Sequence, residues 1–199
     1  MLLVGVAAVA LYQVSRPAAD SVPTLAPKRK LLIVSLVIPG DKAPELARFA
    51  ADCLEEELGC EVEVMEKSVD ISRKAFDPAR GQGNAVTLVE VVERMVTPET
   101  AVLGITEYDL HSPLRRDLPF AMGARKGWAG LISTFRMADL HKPDNTSIRL
   151  QKMLIRYGAE LVCDAPREKD PRSVLYENLQ RPEQLDLMYW PPVYFVVEE

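Results

Sequence analysis

LLIVSLVIPGDKAPELARFAADCLEEELGCEVEVME, residues 31–66, is the stretch that decides the fold. Residues 31–38 are apolar apart from Ser35 and rich in branched side chains, the pattern of a strand covered on both faces of an α/β sheet. Pro39-Gly40-Asp41 ends that run. Leu46, Phe49, Ala50, Cys53, Leu54 and Leu58 then recur at helical spacing with acids on the opposite face, and Gly59 follows as a stop. Residues 60–66 alternate, with Cys60, Val62 and Val64 on one side, so a second strand closes a strand-helix-strand unit.

Further along, a loop with Phe76, Pro78 and Arg80 leads into a helix carrying Leu88, Val89, Val92 and Met95, halted by Thr97-Pro98. Residues 101–105 read as a third buried strand. The pieces LPFAMG (118–123) and AGLISTF (129–135), separated by ARKGW, predict a hairpin at one side of the sheet. A turn-rich loop precedes a helix over 148–162, with Leu150, Leu154, Tyr157 and Leu161 on one face and Thr146 or Ser147 as its cap. No repeat is visible, and the proline-containing C-terminal stretch reads as irregular.

A chain of 199 residues with 48% hydrophobic content supports one core, hence one domain. Charged residues make up 27% and the formal net charge is −5, without a basic face, which speaks against nucleic acid as a partner. Lys28-Arg29-Lys30 reads as a solvated lead-in to the first strand. The three cysteines, Cys53, Cys60 and Cys163, have neither framework nor zinc-knuckle spacing; a Cys53 to Cys60 bridge requires helix end and strand start to approach closely. Residues 1–12, MLLVGVAAVALY, are too short an apolar run to span a bilayer but match the core of a signal peptide, although no Lys or Arg precedes them. With the Pro/Ala/Ser-rich stretch 13–27 they divide the chain into a signal-like segment and tether, 1–29, and a domain, 30–199. Export or membrane tethering is the favoured location, with a cytoplasmic one as the alternative.

The order of blocks resembles the archaemetzincin family of the metzincin zinc peptidases. AFDPARGQGNAVTLVEVVERM (75–95), VLGITEYDLHSP (102–113) and FAMGARKGWAGLISTFRM (120–137) are similar to family blocks, and Arg149 and Lys152 stand as the Arg-x-x-Lys that opens its zinc-binding helix. The resemblance covers about residues 31–186 and implies a single-domain metzincin-like α/β fold, with a mixed, mostly parallel sheet and an edge hairpin packed on helices. In the family that helix carries HExxHxxGxxHC. Two His at i and i+4 grip one zinc and the Glu serves as general base on its water. Counted from Lys152, this chain has Arg156, Tyr157 and Glu160 at those three positions, Cys163 at the Gly and Pro166 at the third His. Sliding the register by one puts Ile155 and Ala159 in place of the first two His.

The chain's only histidines, His111 and His141, precede the helix and read as polar loop residues. Ser173-Val174-Leu175 stands for the family's Cys-Val-Met, with Leu175 replacing the methionine of its supporting turn. Zinc is therefore expected from the resemblance but not from the ligands, and no metal or other cofactor is assigned. A pairing of Glu160 with Asp164 makes a poor zinc site. Arg156 and Glu160, at i and i+4, are spaced to form a salt bridge, contributing about 0.3–0.5 kcal/mol if exposed. Asp109 and Arg80 match family positions and read as structural pairing near the sheet ends.

The residues leave three functions open. One is a pseudo-metalloprotease without catalysis whose remaining cleft binds a peptide or protein, aligned by Leu131, Ile132 and Ser133 if that strand forms the sheet edge. The second is a zinc peptidase with an atypical site, and the third an exported structural domain without a ligand. A groove left open beside the edge strand favours the first; one filled by Tyr157 or Arg156 favours the third.

Overall fold

The computed structural model describes residues 26–41, 46–115, 118–139 and 142–188. The signal-like run, most of the tether and His141 lie outside them. Thirteen elements follow in chain order: β1 (Lys30–Val37), α1 (Leu46–Leu58), β2 (Val62–Val64), β3 (Val69–Asp70), β4 (Phe76–Asp77), β5 (Gln82–Asn84), α2 (Ala85–Glu93), β6 (Thr100–Thr106), β7 (Leu110–His111), β8 (Gly123–Lys126), β9 (Ala129–Ser133), α3 (Pro143–Val162) and α4 (Pro182–Asp186). The main sheet has the order β2-β1-β6-β9-β8, with β3 also pairing β1; all its pairings are parallel except β8 with β9. The expected α/β domain with a mostly parallel sheet and an edge hairpin is therefore present.

Alternation along the strands sends side chains into two layers. Leu31 and Ile33 of β1, Leu103 and Ile105 of β6 and Ile132 of β9 pack with α1 and α3. Val34 and Leu36, Val102, and Ala129 and Leu131 pack on the other face with α2. The leucines and isoleucines just named are fully buried, each contributing about 1.5–3 kcal/mol relative to exposure. Gly59, at φ 60, ends α1 as the sequence predicts, and Asn84 caps α2 by accepting from the Val86 and Thr87 amides.

Several expectations are corrected. The hairpin strands are Gly123–Lys126 and Ala129–Ser133, so ARK belongs to a strand and only Gly127-Trp128 turns. Gly127 has φ 58, the conformation that the first position of a two-residue type II′ loop demands. The loop after β3 holds β4 and β5, which join β7, beyond β6, in a second small sheet too short to show as periodicity. Helix α3 starts at Pro143, five residues before the predicted start, so Thr146 and Ser147 lie within it. The Thr146 hydroxyl instead accepts from the Asp139 amide at 3.1 Å. Lys28 and Arg29, read as a solvated lead-in, dock on the end of α3: Lys28 N donates to Val162 O, both side chains pair with Asp164, and the Arg29 guanidinium lies 3.8 Å from the Trp128 ring centroid. Cys53, Cys60 and Cys163 are buried free thiols, so the conceivable Cys53 to Cys60 bridge is absent, and burial pushes their pKa values up to about 12, 11 and 12 respectively.

Candidate functional site

The last two turns of α3 carry a carboxylate that has no exposure to solvent. Glu160 meets three guanidinium groups: Arg167 as a fork (Nε to Oε1 3.2 Å, Nη2 to Oε2 3.3 Å), Arg125 of β8 through Nη1 (3.2 Å), and Arg156 one turn earlier (Nε to Oε1 3.6 Å). A buried carboxylate is tolerable only when paired and hydrogen-bonded in this way. The expected Arg156–Glu160 pair is thus present, but inside the protein rather than on a solvated face. Arg156 has a second duty. Its Nη1 donates to Val174 O at 2.8 Å and Tyr176 O at 2.7 Å, so the guanidinium holds the irregular segment that includes Leu175 against the helix. Burial lowers its pKa and Glu160 counteracts this, yet arginine stays charged in proteins.

A cleft of about 310 Å³ opens beside this cluster and along β8. Its lining combines the cationic side chains Arg125, Arg156 and Arg167 with the apolar ones Phe120, Met122, Met153 and Leu179. Tyr157 forms part of the lining, and burial pushes its phenol up to about 12, so at neutral pH it is a neutral group and not a base. Its place depends on two glycines of the hairpin. A Cβ at Gly123 would lie 2.6 Å from the Tyr157 hydroxyl and 2.3 Å from Leu131 O; one at Gly130 would come within 3.0 Å of the same ring.

The apolar part of the lining is supported at Phe120. Asp109 accepts from Arg136 and from Gln82, Gln82 also donates to Pro119 O at 3.1 Å, and the Arg136 guanidinium sits 4.9 Å from the Phe120 ring centroid. Burial pushes the Asp109 carboxyl up, but the hydrogen bonds from Arg136 and Gln82 outweigh it and hold its pKa below the ordinary value. The Arg80 side chain reaches Asp77 at 3.9 Å, and its amide donates to the same carboxylate at 3.3 Å.

The residues at this place do not fit a zinc ion. Guanidinium nitrogens donate and do not ligate, and the one carboxylate among them is already taken by three cations. Among the described residues no three His, Cys, Asp or Glu side chains gather to hold a metal. Asp164 does not join Glu160; it pairs with Lys28 and Arg29. His111 is a buried residue of β7, not a polar loop residue. The chain turns after α3 at Asp164, with φ 54, rather than at the motif's glycine position, where Cys163 is the helix C-cap.

Leu131, Ile132 and Ser133, the expected peptide ledge, lie on β9 between β6 and β8, so this strand is not the sheet edge. Their backbone is paired on both sides, Leu131 and Ile132 point into opposite cores, and the Ser133 hydroxyl donates to Tyr108 O at 2.6 Å. The edge is β8. Sequence reading also missed Arg125 and Arg167. Nothing in helical spacing marks them, since Arg125 reaches Glu160 from 35 residues upstream; a carboxylate flanked by Ala159 and Leu161 in the apolar last turns of α3 was the available signal.

A mostly parallel sheet with one antiparallel edge strand, a cleft along that strand and a long helix bordering it is the zincin-like fold. Comparison narrows this to the archaemetzincin form. Three solved structures match: archaemetzincin from Methanopyrus kandleri (TM-score 0.64, 23% identity, 81% of this chain and 87% of that one), archaemetzincin from Archaeoglobus fulgidus complexed with malonate (0.62, 20%, 84% and 95%), and a zinc-dependent peptidase from Methanocorpusculum labreanum (0.60, 16%, 83% and 95%). No protein-family model and no curated protein matches the sequence. The chain therefore has an archaemetzincin-like fold.

Proposed function

We propose that this protein is a metzincin-fold binding protein without zinc-dependent peptidase activity, which takes a peptide or a protein segment in the cleft along β8. The observation that carries the reading is the cage of Arg125, Arg156 and Arg167 around Glu160, in which Arg156 and Glu160 stand where the resemblance aligns the first two zinc-binding His, beside a cleft that Arg156 and Tyr157 line and do not fill. A cation brought there meets three positive groups, and a water there has no free base beside it. The open cleft favours binding over a purely structural role. The edge strand that offers backbone donors and acceptors is β8, not β9. The test is metal analysis of purified protein together with chelator-sensitive cleavage of a mixed peptide library and retention of uncleaved peptides. The expected outcome is substoichiometric zinc, no cleavage and retention; stoichiometric zinc with chelator-sensitive turnover overturns the reading.

A further inference from the structure

The same three arginines that exclude a cation are an excess of positive charge over Glu160, in a chain whose formal net charge is −5. No Asp or Glu lines the cleft among the described residues. Arg125 uses only Nη1 on Glu160, and Arg167 uses Nε and Nη2, so each guanidinium keeps N–H donors beyond those Glu160 takes. Both are partly exposed, at 38% and 44% of their side chains, whereas Arg156 is committed to Glu160 and two carbonyls. The same lining holds the apolar side chains Phe120, Met122, Met153 and Leu179. A ligand that satisfies both kinds of lining group has an anionic head and an apolar body, and about 310 Å³ is room for a small organic molecule or one terminal residue of a chain.

We infer that the cleft binds a carboxylate carried on an apolar group, with Arg125 and Arg167 as its hydrogen-bond donors and the Phe120 side as its hydrophobic seat. Planar guanidinium and carboxylate groups match as a two-bond fork, and in a partly desolvated cleft such charge-assisted bonds are about twice as strong as neutral ones. Glu160 fixes the two arginines in place from below, so the site is organised before the ligand arrives. The carboxylate has two sources with this chemistry, the free C-terminus of a peptide ending in an apolar residue and a small organic acid. The inference rests on the binding reading above and names what that cleft recognises.

The test is calorimetric titration of the full chain with four probes: a tetrapeptide ending in Phe, its C-terminal amide, N-acetylphenylalanine and N-acetylphenylalaninamide. Each acid is expected to bind at least about tenfold more tightly than its amide. A free-ended peptide that binds more tightly than N-acetylphenylalanine identifies the peptide end as the source, and equal affinity identifies the small acid. Arg125→Gln is expected to lower affinity for the acids about tenfold and leave the amides unchanged, with Arg125→Lys in between; the thermal midpoint of each variant shows that it is folded, and the wild-type acid and amide pairs decide the matter without any variant. Amides that bind as tightly as acids overturn this inference and leave the binding reading standing. Absence of binding by all four probes overturns this inference; if the library is not retained either, the binding reading falls as well.

Discussion

At the N-terminal half of α3, Arg149 and Lys152 face Asp139 and Asp186; at its C-terminal half, Arg125, Arg156 and Arg167 face Glu160 alone. In the first region Arg149 forks onto Asp186 (2.7 and 2.6 Å) and reaches Asp139 (3.3 Å), while Lys152 donates to Leu185 O at 2.6 Å. Arg149 alone meets both carboxylates and Lys152 is held on a carbonyl, so the group closes α4 onto the helix as a clasp with its charge spent. In the second, three cations meet one carboxylate, and the remainder faces a cleft. Both use buried basic side chains to hold carbonyls of the chain that follows α3, so that much is structural. What separates them is balance: a charge matched within the fold holds structure, and a charge left in excess at a cleft is available to a ligand.

The largest effect that tests this contrast is on stability. Glu160→Ala leaves Arg156 buried without its carboxylate, and a loss of about 3–5 kcal/mol is expected by urea denaturation. Asp186→Ala in the clasp removes a carboxylate whose side chain is 30% exposed, so about 1–2 kcal/mol is expected. Equal losses break the distinction between a caged and a clasped charge. Next in size is Gly123→Ala: its Cβ meets Leu131 O and the Tyr157 hydroxyl, and overpacking of that kind costs about 1–3 kcal/mol. The variant is also expected to lose ligand retention, since Gly123 and Tyr157 both line the cleft and cannot keep their places around the added methyl group.

How far these regions were legible in the sequence follows from the range of the contacts that make them. β1, α1 and α3 show as apolar periodicity because their burial repeats within the element, and Arg149, Lys152, Arg156 and Glu160 can be placed on α3 by counting. The partners of those residues cannot. Glu160 and Arg156 look like a surface pair worth a few tenths of a kcal/mol until Arg125 and Arg167 arrive from other elements and the pair is found inside. The interior place of β9 was hidden for a related reason: its run of apolar residues fits a covered strand, but which neighbour lies outside it is decided by the hairpin register and not by composition.

The support of the apolar lining gives a pH-dependent test. The folded pKa of Asp109 lies below its unfolded value, so its contribution is complete above the unfolded value near ~3.9 and is lost as pH falls through the lowered folded one. Asp109→Asn is expected to be less stable than the parent by about 1–3 kcal/mol at neutral pH, with the gap narrowing once the pH drops below about 4. A gap that stays constant into acid shows that the Asp109–Arg136 charge does not hold the lining.

The smallest effect concerns how α3 ends, just past the cage. Asp164 adopts φ 54, a conformation that costs a residue with a Cβ about 1–2 kcal/mol, less for Asp, and its carboxylate pairs with Lys28 and Arg29 at the surface. Burial raises its pKa, but Arg29 and then Lys28 outweigh that and lower it; the pairs themselves are partly exposed and contribute about 0–1 kcal/mol. Asp164→Gly relieves the backbone and loses the pairs, so a net change within about 0.5 kcal/mol is expected; Asp164→Ala keeps the strain and loses the pairs, so about 1 kcal/mol of destabilisation is expected. If Gly and Ala behave alike, conformation is irrelevant at this turn and the pairs alone fasten residues 28 and 29 to the helix. If Gly is clearly the more stable of the two, the turn beyond the cage is a backbone requirement, and the excess charge of the Glu160 region is independent of how the helix is closed.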